Sequence, residues 1–186
     1  MRSLPLYAVE QVDELVWPEN HKEITLHSSA LLALTDFKEH KPLVIEDMVS
    51  AHETEQLMRH AHVHLKIVVD KEDQFLGIVS LSDICHQEIM KKVANGFEHD
   101  ELLVTDFMHP KSNLKAIDYA DLEHATVGDL LETLKTNGQR HCLVIDRENH
   151  KIRGVVSASD LVRMLKLKID LSLPPTFIEI FNVVHN

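Results

Sequence analysis

Glycine is scarce in this chain: five among 186 residues, all far apart. That scarcity excludes the glycine-rich loops, of GxGxxG or Walker type, whose bare backbone amides cradle a di- or triphosphate. Cysteine is scarcer still. Cys85 and Cys142 form no CxxC and each lies in an apolar stretch, so they read as buried reduced thiols, a disulfide or catalytic thiol being the alternative. Neither a GxSxG nucleophile elbow nor an HExxH zinc helix occurs, and the chain reads as non-enzymatic. No apolar run approaches the ~18 residues of a membrane span. The opening Met1-Arg2-Ser3-Leu4-Pro5-Leu6 lacks the apolar core of a signal peptide. A cytoplasmic protein off the membrane is the expectation.

Basic residues are also in deficit, 19 against 30 acidic, for a formal net charge of -11. A field of that sign repels a phosphate backbone, and no basic stripe interleaved with aromatics offsets it, which excludes nucleic acid as a partner. A local site can still hold a small anion. Histidine, by contrast, is abundant at 14 residues. His62 and His64 alternate where a helix gives way to a strand, so they could share a face toward Zn²⁺ or Ni²⁺. No cysteine or carboxylate is spaced to complete such a site, and solvated histidines are the plainer reading.

What the chain does contain is a repetition. Gly77-Ile78-Val79-Ser80-Leu81-Ser82-Asp83-Ile84 returns 77 residues later as Gly154-Val155-Val156-Ser157-Ala158-Ser159-Asp160-Leu161. An apolar run ending in aspartate precedes each: Ile67-Val68-Val69-Asp70 and Leu143-Val144-Ile145-Asp146. Such self-similarity means one supersecondary unit used twice. In the first unit, patterning predicts a strand at Leu43–Ile45 and a helix over 51–60 capped by Ser50, with Glu53 three residues on. Strands at Leu65–Val69 and Phe75–Ser80 follow, then a helix over 84–94 opened by Ser82 or Asp83. In the second unit it predicts strands at Leu114–Ile117, Cys142–Ile145 and Ile152–Val156. A helix opened by Thr126 and Asp129 and another from Asp160 to Lys168 complete it. Thr35-Asp36-Phe37 and Thr105-Asp106-Phe107 read as equivalent leading segments.

The expected division is an N-terminal extension over 1–34, units over 35–97 and 98–168, and a C-terminal extension over 169–186. Pro174-Pro175 breaks the chain before a last helix at Thr176–Val184. The fold class is α+β: two β-α-β-β-α repeats packed face to face with pseudo-two-fold symmetry, each covering the other's apolar sheet face.

Ser80 ends a strand and Asp83 follows three residues later at a helix start; Ser157 and Asp160 repeat the pair. The first-turn amides of a helix and its dipole favour an anion there. A carboxylate can accept from two neighbouring hydroxyls, as in a grip on ribose. Ser-x-Ser-Asp is equally an ordinary helix cap, and duplication copies a cap as faithfully as a pocket. Gly77 and Gly154 permit close backbone approach, whether by a ligand or by a crossing strand.

An apolar strand ending in Asp, followed by Gly-apolar-apolar-Ser-x-x-Asp-apolar, resembles the signature of the CBS (cystathionine beta-synthase) domain. Such domains occur in tandem as Bateman modules, and the resemblance covers about residues 35 to 168. It implies a non-catalytic regulatory module that senses AMP, ADP, ATP or a related adenosyl ligand in the cleft between repeats, with no cofactor. Asp83 and Asp160 would hold ribose, and Ser80 and Ser157 would line the phosphate path. Adenine would lie near Val44 and Ile45 with His64 to Ile67 in one copy. In the other it would lie near Ala116 and Ile117 with Arg140, His141 and Leu143. The proline that the family places before the central strand is Lys66 in one copy and Cys142 in the other. Cations for phosphate are Arg140, His141, Lys151, Arg153 and Arg163, all in or beside the second copy, against Lys66 in the first; the Asp160 site is therefore favoured. The resemblance further implies a homodimer, with Ile84, Ile89, Leu161 and Leu165 contributing, and a regulated enzyme as partner. The alternatives are a structural or protein-interaction module without ligand, or an accessory subunit of an enzyme.

Overall fold

Val68, Val79, Val144 and Val156 are completely buried, and Ile67, Ile78 and Leu143 beside them nearly so. Strands this apolar on both faces need cover on both sides, and the computed structural model, which describes residues 24–136, 138–169 and 174–185, provides it. The elements run β1 (Leu34–Asp36), β2 (Val44–Glu46), α1 (Ala51–His60), β3 (Leu65–Val69), β4 (Phe75–Ser80) and α2 (His86–Ala94). There follow β5 (His109–Pro110), β6 (Ala116–Asp118), α3 (Tyr119–Leu122), α4 (Val127–Leu134), β7 (His141–Asp146), β8 (Lys151–Ser157), α5 (Ala158–Met164) and α6 (Phe177–His185). One sheet has the order β2-β3-β4-β5 and the other β1-β8-β7-β6. Between the sheets lie Ile67, Val69, Ile78 and Leu143, with Phe37, Leu65, Phe75, Ile152 and Val155 around them. The outer faces of the sheets are covered by separate cores, one under α1 and α2, the other under α4, α5 and α6. The expected pair of β-α-β-β-α units packed face to face is thus the architecture of the chain.

The leading strands are exchanged. β1 pairs antiparallel with β8 of the second unit, Asp36 opposite Gly154, and β5 pairs with β4 of the first, Pro110 opposite Gly77. A Cβ on Gly77 would run into the carbonyl of His109, and one on Gly154 into the carbonyl of Thr35. Both motif glycines therefore serve a strand crossing. The register makes Thr35 the counterpart of His109, and this corrects the sequence alignment of Thr35-Asp36-Phe37 with Thr105-Asp106-Phe107. The latter belongs to a 3-10 turn, Val104–Asp106. Its true partner is the turn Ala30–Ala33: Val104 N–H donates to Val49 O as Ala30 N–H donates to Ala125 O. Residues 24–36 consequently pack on the second unit.

The helices that follow the two motifs differ. Ser157 caps α5 directly, accepting from Asp160 N–H at 3.4 Å. In the first unit, Ser82 and Asp83 lie instead in a turn, and α2 starts only at His86, so neither residue opens that helix. Its N-cap, Cys85, provides no side-chain acceptor. The acceptor comes from α1: Glu55 Oε1, on a residue only 5% exposed, takes the His86 N–H at 2.9 Å and also binds Arg59. α6 lies where the terminal helix was expected, with Phe177 and Ile180 buried against the second unit. Ile84, Ile89 and Leu161 are buried in the cores of their own units, so they cannot supply the dimer contacts expected of them. Both cysteines are free, but only Cys142 is buried; Cys85 is partly exposed. Burial pushes the Cys142 thiol up to about 11.

Candidate functional site

β4 and β8 run antiparallel to β3 and β7, which brings each Ser-x-x-Asp end beside the start of the neighbouring strand. Leu65 faces Ser80 and His141 faces Ser157 in the ladders. Packing the sheets then sets each motif against the other unit, and two hollows result at pseudo-equivalent places.

The hollow at Asp160 measures about 420 Å³. Ser157, Ser159, Asp160 and Arg163 form one wall, and Thr35 and Phe37 of the exchanged strand another. The first unit adds His40 to Leu43, His62 to Leu65 and Ile67, and His141, Val155 and Pro174 complete the lining. Asp160 Oδ1 accepts from Arg163 at 2.8 Å. Its volume lies within the range of small-ligand sites, roughly 300–1,000 Å³, and its lining combines apolar walls with convergent polar groups.

The hollow at Asp83 measures about 40 Å³, between Leu65, Ile78, Ser80, His109 and residues 138 to 141. Both carboxylate oxygens of Asp83 have neighbours. Its Oδ2 accepts from Ser80 N–H at 2.9 Å and from Ser80 Oγ at 2.5 Å, and Oδ1 lies 3.2 Å from His109 Nε2. A recess of about 250 Å³ continues past Ser80 to Ser82, His64 and Pro174, without Asp83 or His109 in its lining. Arg140 borders it, donating to Ser82 Oγ at 3.2 Å and Pro174 O at 2.8 Å. His141 touches both hollows and the recess. Burial, with His64 nearby, depresses it to about 4, so it is neutral at physiological pH.

Of the residues singled out from sequence, Ser80, Asp83, Arg140 and His141 meet at one hollow, and Ser157, Asp160, Ile67 and His141 at the other. The grouping is crossed: the first unit's 62–67 segment lines the Asp160 hollow, and the second unit's Arg140 lines the Asp83 one. Val44, Ile45, Ile117 and Leu143 line neither hollow. Ile45 is in the first core and Leu143 is between the sheets. Arg153 is not available as a phosphate ligand. It donates two hydrogen bonds to Asp36, at 2.8 and 2.6 Å, and stacks on Tyr119. That pairing holds the Asp36 carboxyl down at about 2. Lys66 is spent on Val44 O at 3.2 Å. His40, Lys41 and His109 were missed, since only the exchanged strands bring them to the motifs. His62 and His64 share the Asp160 wall, and among the described residues no group of three or more side chains could hold a metal ion.

A larger hollow, about 520 Å³, lies away from both motifs between Ile24–Leu26, Met164–Leu167 and Val183–Val184. It is mostly apolar and contains no carboxylate.

The CBS domain family model matches residues 34–89 and 122–167. The chain belongs to the CBS domain family. Its two matched segments fall in the two units of the fold, a CBS pair. Among solved structures, an uncharacterized conserved protein from Pyrococcus horikoshii is 20% identical with a TM-score of 0.58, over 79% of this chain and 98% of the other. CBSX2, known from Arabidopsis thaliana, was solved in complex with AMP; it is 19% identical, TM-score 0.53, over 76% and 99% of the two chains. The CBS domain of a bacterial CNNM/CorC family Mg²⁺ transporter, solved in complex with ATP, is 18% identical, TM-score 0.53, over 77% and 91%. At these identities the likeness is one of fold. No curated protein matches the chain. No helix among the described residues of the CBS pair is long and apolar enough to cross a membrane.

Proposed function

We propose that this CBS pair is an adenine-nucleotide sensor whose primary site is the hollow at Asp160. The observation that carries the reading is the disparity in open space at the two aspartates: about 420 Å³ is lined by Asp160 and about 40 Å³ by Asp83, the recess of about 250 Å³ beyond Ser80 not reaching Asp83. Asp160 Oδ2 has no hydrogen-bond partner among the described residues, so the carboxylate retains capacity for ribose hydroxyls. Phe37, Leu43, Leu65 and Val155 offer apolar surface for a purine, and Lys41 and Arg163 offer positive charge to its phosphates. The AMP and ATP complexes of proteins with the same fold support the ligand class. Binding at a wall built from both units would shift their relative packing and so the surface shown to a regulated partner. Self-association belongs to the same proposal.

A thermal-shift series with AMP, ADP, ATP, NAD and S-adenosylmethionine tests it. A ligand present at 100 times its Kd adds about 2.7 kcal/mol of stability. At least one of the five raises the melting temperature if the reading holds. Silence from all five leaves a structural or protein-interaction module.

A further inference from the structure

We infer that His109 is a built-in plug that holds a second nucleotide hollow, the one at Asp83, closed. The inference rests on the nucleotide reading above and concerns the half of the module that reading leaves empty. The pseudo-symmetry gives a comparison inside one molecule. Thr35 and His109 occupy equivalent register positions, opposite Val155 and Ile78, and each carbonyl sits on the motif glycine of the strand it joins. Their backbones are therefore placed alike, and their side chains differ. Thr35 is short and lies in the wall of an open hollow. The imidazole of His109 reaches across to Asp83 and lines what little space remains.

The plug acts sterically and chemically. The ring fills volume that Thr35 leaves open in the mirror site. Its Nε2 also stands 3.2 Å from Asp83 Oδ1, the oxygen that the Ser80 hydroxyl and amide leave free. Both carboxylate oxygens of Asp83 then have a neighbour where a ribose would have to bind. The ring occupies this volume whatever its charge, so the steric closure does not require protonation. His109 is 40% exposed on its side chain, so rotation about its own side-chain bonds can take the ring out without disturbing the β4–β5 pairing. The second site is thus latent rather than absent, and its ligand is of the same adenosine class.

The test is nucleotide stoichiometry, by equilibrium dialysis with radiolabelled AMP and ATP, on the full chain and two exchange variants. His109→Thr installs the open site's residue in the closed one, and Thr35→His does the reverse; circular dichroism melts establish that each is folded. The expected results are one nucleotide per wild-type chain, two for H109T, and at least tenfold weaker binding for T35H. A count that H109T leaves unchanged overturns the plug, as does a wild type that already binds two, or wild-type affinity in T35H. A wild type that binds none while H109T binds one upholds the plug and refutes the Asp160 assignment. If neither binds, both are overturned. Should H109T fail to fold, T35H alone decides the steric argument.

Discussion

Thr35 and His109 are structural equivalents 74 positions apart, each laying its carbonyl over the motif glycine of the opposite unit. Nothing in their chemistry suggests kinship. The exchanged strands alone make them counterparts, and through them the two ends of the module become unlike.

The first expectation concerns the carboxylates. Asp160→Ala removes an acceptor from the open hollow, and hydrogen bonds to a charged group contribute about 1.5–3 kcal/mol. Nucleotide affinity should therefore fall about 10- to 100-fold. Asp83→Ala, in the plugged hollow, should change it less than threefold. Isothermal titration of both variants decides the order, and equal losses would count against the site ranking.

Gly154→Ala places a methyl group against the Thr35 carbonyl, and Gly77→Ala does the same at His109. The neighbour in each case is backbone and cannot rotate away. Each variant should lose about 1–3 kcal/mol of stability, read as a lower urea midpoint.

Glu55 is the cap that α2 lacks locally, so Glu55→Ala leaves the His86 amide and the Arg59 guanidinium without their shared acceptor. A loss of about 1–3 kcal/mol follows. Glu55→Gln, which still offers an oxygen to the amide, should recover part of it in the same denaturation series.

His141 supplies a pH dependence. Its folded value, about 4, lies below the ordinary 6.5. The unfolded chain then binds more protons between those limits. Stability is intact above pH 6.5 and falls as pH drops toward 4, by up to about 1.4 kcal/mol per pH unit from this one group. His141→Leu, which copies the equivalent Leu65, should flatten the curve in that window; identical slopes would exclude the assignment.

Thiol labelling should be selective. Cys142 is 5% exposed with its thiol pushed up to about 11, whereas Cys85 is partly exposed. Alkylation at pH 8 followed by peptide mass spectrometry should find Cys85 modified first. Rapid modification of Cys142 in the folded protein would contradict its burial.

Local patterning was enough to read the repeat, the α+β class and most elements. The strands at Leu65–Val69 and Phe75–Ser80 and the helix over 51–60 have the limits that hydrophobic period and the Ser50 cap imply. Ser80, Asp83, Ser157 and Asp160 were legible as a duplicated motif because their chemistry lies within four residues. The start of α2 was not, since its cap comes from Glu55, 31 residues away in the chain. The adenine-side residues were misgrouped for a related reason: sequence order assigns each motif to its own unit, while packing sets it against the other.

The amino-acid sequence by itself determined that one unit is used twice and that each copy carries a serine and an aspartate at a strand end, because those signals are periodic and short-range. Tertiary structure alone decided that the leading strands change places, and with them which aspartate keeps an open hollow and which meets an imidazole. That outcome depends on a backbone crossing at two glycines, and a contact between residues so far apart in the chain leaves no mark in local pattern.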